Sequence, residues 1–327
     1  MNRKKDFLIV FSAAAVVIVL FLLAAWVIPA RKYSTAKALV DARKYEEAIA
    51  AFEALGPDRD CTAEIEACRA AIKEQDAGAA AAAAALHDIG KTEAAYELLN
   101  VLDDPDSVSK AKEYLFEIQK GRIGSVNAGD IIRFGSWEQD GNPANGPEEI
   151  EWIVLDTDGS EALVISRYGL DAREFNDEKN PYSATTWSIC QLRTWLNGAF
   201  CDSAFGPDHQ GMILTSDVPA GTNPDSNVSP GSDTKDMVFL LSIEEAYRYF
   251  DSDSARKCFG TPYCDMLGPE KGSDGACCWW LRSPGVAFSS VSVVTGTGKV
   301  FTNGYSSGHI PNPAVRPVMR IDLNAGR

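Results

Sequence analysis

Cys277–Gly285 reads CCWWLRSPG and Ala314–Ile321 reads AVRPVMRI. Both are aromatic or β-branched runs of the kind that form strands. Between them lies a stretch rich in glycine, serine, asparagine and tyrosine. Two stiff apolar strands around a polar, turn-rich segment make a scaffold that presents an adaptable loop. Adjacent side chains on a strand point to opposite faces, so one of Trp279 and Trp280 is expected in the core and the other at the surface. Arg282 and Arg316 sit in apolar strands, and each is expected to pair with a carboxylate inside the domain.

Upstream, from about residue 121, glycine, proline, tryptophan and β-branched residues are frequent and helical periodicity is weak. DIIRFGSW (Asp130–Trp137) reads as a strand. IEWIVLD and ALVIS read as two strands around the turn signal Thr157-Asp158-Gly159-Ser160. SICQLRTWLN (Ser188–Asn197) reads as a helix capped by Ser188, with Ile189, Leu192 and Leu196 inward and Gly198 as its end. DMVFLLS reads as a strand, SIEEAYRYF as a helix capped by Ser242, and VSVVTGTGKVFT as a hairpin. Short strands mixed with two helices predict an α+β domain over 126–325.

Residues 33–120 read as helices with an internal repeat. ALVDARKYEEAIAAFEAL (Ala38–Leu55) and ALHDIGKTEAAYELLNVL (Ala85–Leu102) align at an offset of 47 residues. Each copy is a short helix, a tight turn and a second helix, and Ala48, Phe52 and Leu55 form one apolar stripe. Gly56-Pro57 stops the first copy and Asp104-Pro105 the second. A third helix is expected after each, near 61–75 and 107–119. Two copies are fewer than a self-standing solenoid needs, so a spacer or stalk is favoured over a peptide-binding groove.

Phe7–Ile28 is an uninterrupted apolar run of 22 residues, long enough to span a hydrocarbon core of about 30 Å. It exceeds an ordinary secretory apolar region, and no small-x-small cleavage site follows. The expectation is a cytoplasmic N-terminus at 1–6, an uncleaved transmembrane signal anchor at 7–29, oriented by Arg3, Lys4 and Lys5, and everything beyond about residue 33 outside the cell. The formal charge is −15. Setting aside the five basic residues and one acidic residue of the first 32 leaves 26 basic against 45 acidic. Such a surface repels phosphate backbones and argues against nucleic acid as a main partner.

There are eight cysteines. An even count in an exported chain permits disulfides. Cys61 and Cys68, on one helix, are about 10.5 Å apart along the axis and too far for a bridge. Cys258 and Cys264, in a loop, are the best local pair. The C-x5-C-x12-CC spacing lacks a zinc knuckle, so no metal site is expected. No nucleophile elbow, no H-E-x-x-H and no phosphate-cradling glycine loop occur, so no catalytic residue or cofactor is expected. His209 reads as a locally bonded loop residue, and Glu148, Glu149 and Glu151 as a solvated edge rather than a glycosidase pair.

Taken together, IEWIVLD…ALVISRYGLD, TTWSICQLRTWLNGAF, DMVFLLSIEEAYRYF and WWLRSPG…VRPVMRI, in that order, resemble a widespread bacterial domain of unknown function. That domain often follows a membrane anchor and degenerate tetratricopeptide-like repeats, which Leu39–Gly56 approximates. The resemblance implies a C-type-lectin-like fold, shared with formylglycine-generating enzymes and with the variable proteins of diversity-generating retroelements. In the variable proteins the segment before the terminal V-R-P strand contacts ligand. Carried over, this places ligand contacts at Phe288, Ser290, Ser292, Phe301, Asn303, Tyr305, Ser306 and His309, residue types that binding loops favour. The implied function is non-catalytic ligand binding or surface display, with the membrane and a surface protein, peptide or glycan as partners. The alternatives are a formylglycine-generating-type oxidoreductase using Cys258 and Cys264, although TPYCDML departs from that motif, and a structural envelope protein. Asn223-Pro224-Asp225 resembles a calcium-lectin segment, but no W-N-D follows it.

Overall fold

The computed structural model describes residues 28–56, 60–123, 126–176 and 185–325. The expected anchor at 7–29 lies outside the described residues except for its last two positions, and among the described residues no helix is long and apolar enough to cross a membrane. The chain divides into two compact units, Met1–Ala82 and Ala83–Arg327.

The first unit holds the first repeat. Helices α1 (Ile28–Asp41) and α2 (Tyr45–Glu53) form a hairpin whose turn passes through Arg43 at φ 60°. Helix α3 (Thr62–Asp88) begins here. The stripe Ala48, Phe52 and Leu55 is buried with Ala36, Cys61 and Cys68. Alanines at Ala36 and Ala48 leave the helices room to approach, and Tyr33 packs on Phe52 with ring centroids 5.6 Å apart.

The second unit opens with the second repeat. Helix α4 (Thr92–Leu99) places Ala95 and Leu99, both buried, where the first copy has Ala48 and Phe52. Helix α5 (Pro105–Arg122) starts at Asp104, whose carboxylate accepts the Ser107 N–H at 3.0 Å, with a proline in its first turn. These are the residues a helix N-terminus selects.

Helix α5 packs on strand β1 (Ile131–Trp137) through Gln119, which is fully buried. Its Nε2 donates to the Gly135 carbonyl at 3.2 Å and to Glu149 at 3.0 Å. Its Oε1 accepts the Gly135 N–H at 2.7 Å and stands 2.9 Å from His209 Nε2. Asn100, just after α4, donates to the Asn145 carbonyl at 3.1 Å. The second hairpin thus belongs with the sheets, whereas the sequence reading grouped 33–120 as one stalk.

Two sheets form the rest of this unit. One runs β1, β2 (Glu148–Thr157), β3 (Glu161–Ser166), β13 (Val318–Asp322) and β5 (Ile213–Leu214), with β8 (Val238–Phe239) also pairing β13. The other runs β11 (Val300–Ser306), β10 (Ser290–Val294), β9 (Trp279–Pro284), β12 (Ala314–Val315) and β4 (Asp171–Ala172). β9 and β12 run parallel, and the other pairings of these two sheets are antiparallel. A two-stranded ribbon joins β6 (Ser216–Val218) to β7 (Thr234–Asp236). An N-terminal helical part followed by a sheet-rich α+β domain is the observed architecture.

Three local expectations need correction. AVRPVMRI is not one strand. Proline cannot donate to a ladder, and the chain changes sheet at Arg316-Pro317, Ala314–Val315 joining one sheet and Val318–Asp322 the other.

Trp279 and Trp280 are both fully buried, because β9 is covered on both faces. Phe175 packs on Trp280 at 5.5 Å, and the Arg316 guanidinium lies 5.1 Å from the Trp279 ring.

Ile189 is 69% exposed. It lies in a single 3-10 turn, Trp187–Ile189, ahead of the helix Gln191–Trp195, which Cys190 caps through its sulfur rather than Ser188. Gly198 does not end the helix. It kinks a wide turn, Leu196–Phe200, that leads into Cys201–Ala204.

Candidate functional site

The segment between β9 and β12 is shaped by a bulge in β11. Val291 pairs with Tyr305 and Val293 with Phe301, so between these pairs Ser292 of β10 alone faces Thr302, Asn303 and Gly304 of β11. Gly304 supplies the conformation: its φ is 74°, and a Cβ there would meet the Val291 carbonyl at 2.5 Å. Beneath the bulge, Asn223 Nδ2 donates to the carbonyls of Pro284 at 2.9 Å and Thr302 at 2.8 Å. The Asn223-Pro224-Asp225 segment is therefore spent on internal support. Bulges commonly re-aim side chains at sheet edges, and β11 is the edge strand of its sheet.

Past the bulge, Tyr305 and His309 stack at 4.2 Å with their planes 27° apart. Both reach the carboxylate of Glu270: the Tyr305 hydroxyl donates to Oε1 at 2.9 Å, and His309 Nε2 lies 2.5 Å from Oε2. Burial and the bond to Glu270 push the Tyr305 phenol above its ordinary range. Phe301 adds a third ring 5.6 Å from Tyr305. Glu270 is itself held by the backbone, its N–H donating to the Asn312 carbonyl at 3.1 Å and its carbonyl accepting the Cys278 N–H at 2.8 Å.

The eight expected contacts separate into two groups. Phe288 is 65% exposed on the β9–β10 turn, Asn303 and Ser306 are exposed, and Phe301, Tyr305 and His309 are half-buried. Ser290 and Ser292 are corrected: both are buried and face inward. Ser290 Oγ accepts the Ala287 N–H at 2.9 Å, and Ser292 Oγ donates to the Pro284 carbonyl at 2.8 Å. The sequence reading missed Glu270, which no local pattern distinguishes from other loop carboxylates.

A cleft of about 350 Å³ adjoins the same loop, lined by Arg173, Glu174, Gln191, Leu192, Trp195 and Asn312. The Arg173 guanidinium lies 3.8 Å from the Trp195 ring centre and bonds both oxygens of buried Asp171 at 3.1 and 3.0 Å. A fixed cation over an indole gives the cleft a flat, polar wall.

The other candidates resolve as follows. Cys258 and Cys264 are buried, and burial raises the Cys258 thiol to about 11. Their sulfurs go to backbone carbonyls, Cys264 Sγ to Asp171 at 3.4 Å and Cys258 Sγ to Phe259 at 3.5 Å. His209 lies in the helix Pro207–Met212, buried among Phe116, Phe134 and Phe205, and is bonded to distant Gln119 rather than locally. Burial and nearby Lys112 lower its pKa to about 4.

Arg282 has its expected carboxylate: both oxygens of Glu245 accept from it, and Glu245 also closes the capping box on Ser242. Arg316 does not. Its Nε donates to the Ser166 carbonyl at 2.9 Å, its guanidinium lies near the Phe250 and Trp279 rings, and Nη1 has no hydrogen-bond partner among the described residues.

Glu149 and Glu151 are held by Arg122, Arg133 and Arg167. Glu138, Asp140 and Glu148 bring three carboxylate oxygens within 4.8 Å of one another, and among the described residues this is the group that could hold a cation.

The fold is thus a helical part followed by a sheet-rich α+β domain, with an aromatic loop cluster around Glu270. A family model described as a domain of unknown function (DUF6273) matches residues 159–323, half of the chain, and the protein belongs to that family. No curated protein and no solved structure matches the chain.

Proposed function

We propose that the second unit is a non-catalytic recognition module of C-type-lectin-like type, carried on an N-terminal membrane anchor with its sheets outside the cell. Its ligand face bears Phe301, Tyr305 and His309 beside the Arg173–Trp195 cleft. The observation that carries this reading is the pair of stacked rings fixed on one carboxylate at a sheet edge. Rings held by hydrogen bonds are pre-ordered, so little entropy is lost when a ligand settles on them. Aromatic surface next to acceptor oxygens suits a glycan or a polar protein loop. The oxidoreductase reading through Cys258 and Cys264 has less support, because both thiols are buried and each is bonded to a backbone carbonyl.

The test is binding of the full chain, in detergent, to arrays of bacterial and host glycans and of surface proteins. Binding that falls at least about tenfold in both Tyr305→Ala and His309→Ala, and not in Tyr247→Ala on the exposed helix Ile243–Tyr249, supports the reading. Binding indifferent to Tyr305 and His309, or none on either array, would leave the structural envelope role standing instead.

A further inference from the structure

We propose that Cys264 and Cys277 form a disulfide that closes the loop carrying Glu270. Three buried cysteines converge on this spot. Cys258 and Cys277 face each other across a single antiparallel bridge, the Cys277 N–H donating to the Cys258 carbonyl at 2.6 Å. The sulfurs do not follow the backbones. Cys258 Sγ turns toward the carbonyls of Phe259 and Arg167, at 3.5 and 3.9 Å. Cys264 Sγ donates to the Asp171 carbonyl at 3.4 Å, and it comes to the same spot over Gly260 as the Cys277 sulfur.

Gly260 forms the floor between these two sulfurs. A Cβ built there would lie 3.3 Å from each. Any larger residue would press on the pair, so the glycine keeps the space in which the sulfurs meet. The sequence favoured Cys258 with Cys264. The structure points to Cys264 with Cys277, because the helix Pro262–Met266 buries Cys264 and both sulfurs stand at the same 3.3 Å from the Cβ position of Gly260.

The reaction needs an oxidant, and a small-molecule or protein disulfide supplies it. The Cys277 thiolate attacks that disulfide and releases one thiol. Cys264 then loses its proton, attacks the Cys277 sulfur and releases the second thiol. One S–S bond breaks and one forms, and two electrons and two protons end on the oxidant. Because both thiols are buried in the folded domain, the exchange belongs to folding, before the loop seats.

The cross-link would close a ring from 264 to 277. Glu270 sits within it, on the stretch that fixes Tyr305 and His309. The disulfide stands independently of the proposed ligand face.

The experiment folds the full chain in a mixture of reduced and oxidised glutathione, alkylates without reduction, and maps the tryptic peptides. Cleavage after Lys257, Lys271 and Arg282 separates 258–271 from 272–282. The expected result is six alkylated thiols of the eight and a cross-link between these two peptides, kept in Cys258→Ala and Cys278→Ala and lost in Cys264→Ala. Eight alkylated thiols, or a cross-link that survives Cys264→Ala, overturns the proposal. Should Cys264→Ala fail to fold, fragmentation of the wild-type cross-linked peptide assigns the two sulfurs and decides the matter.

Discussion

Tyr305 and His309 lie face to face at 4.2 Å and are held by opposite oxygens of one carboxylate. Neither ring is fixed by its own strand. Tyr305 is the penultimate residue of β11, paired with Val291 beyond a bulge, and His309 follows the strand, so Glu270 is what ties the two rings together. Glu270→Ala is expected to cost about 2 kcal/mol, the size of a lost hydrogen bond to a charged acceptor. Amide exchange across 306–311 should quicken. The Tyr305 phenol should titrate closer to its ordinary range, since burial still raises it but the bond to Glu270 and that carboxylate's charge are gone. Ultraviolet titration and hydrogen exchange check this, and an unmoved phenol would count against the shared-carboxylate arrangement.

His209 makes the domain acid-sensitive. Its folded-state pKa is lowered to about 4, from an ordinary value of 6.5, chiefly by burial. Between those values the unfolded chain binds a proton that the folded chain does not. Stability is therefore full above about 6.5 and falls as pH drops toward 4, by an amount on the order of 3 kcal/mol across the window. Below about 4 both states are protonated and this contribution levels off. His209→Phe, which fits the surrounding rings, should flatten the stability profile between pH 6.5 and 4 in urea unfolding series. An unchanged slope would mean that another group carries the acid response.

Gly298 closes the β10–β11 hairpin at φ 84°, where a Cβ would strike the Asp253 carbonyl oxygen. Neither backbone nor space allows a side chain there. Gly298→Ala is expected to destabilise the domain by more than about 2 kcal/mol. Gly159→Ala, at φ 86° in open surroundings, should cost only its backbone strain, about 1 kcal/mol. Denaturation midpoints of the two variants should differ in that order.

Arg316 is buried with Nη1 unpaired and no carboxylate bonded to it among the described residues. A desolvated charge without a counter-ion destabilises unless its surroundings compensate. Arg316→Met keeps the length and the ring contacts and should be neutral or stabilising by about 1 kcal/mol. Arg282→Met should instead cost about 3 kcal/mol or more, because it strands the carboxylate of Glu245. Thermal unfolding of the pair separates a tolerated buried charge from a required one.

What the sequence disclosed was governed by range. Ser242 caps its helix and Asp158-Gly159 turns its hairpin as read, because the partners lie within three residues. The repeat stripe is buried as read, because Ala48 and Phe52 need only a neighbouring helix. Trp280 misled because alternation assumes one wet face, and Phe175, more than a hundred positions upstream, dries the other. Arg316 misled because aromatic rings can stand where a carboxylate was expected.

Of the residues expected on the loop surface, Tyr305 and His309 were legible from residue type as partly exposed. Ser290 and Ser292 were not, since a serine reads alike whether it faces solvent or bonds a carbonyl beneath a bulge. Glu270 and Asn223 had no local signal, because their partners lie more than thirty positions away.

The last strands also set an order of assembly. β12 sits between β9 and β4, and β13 between β3 and β5, so residues 314–322 are interior to both sheets. Neither sheet is whole until they arrive. During synthesis the helical hairpins can form as they emerge, but the sheets must wait, holding open seams until the ribosome has delivered this final stretch. A nonsense codon just before Ala314 would therefore yield no shortened domain, but a chain with two unfilled gaps, fit for proteolysis.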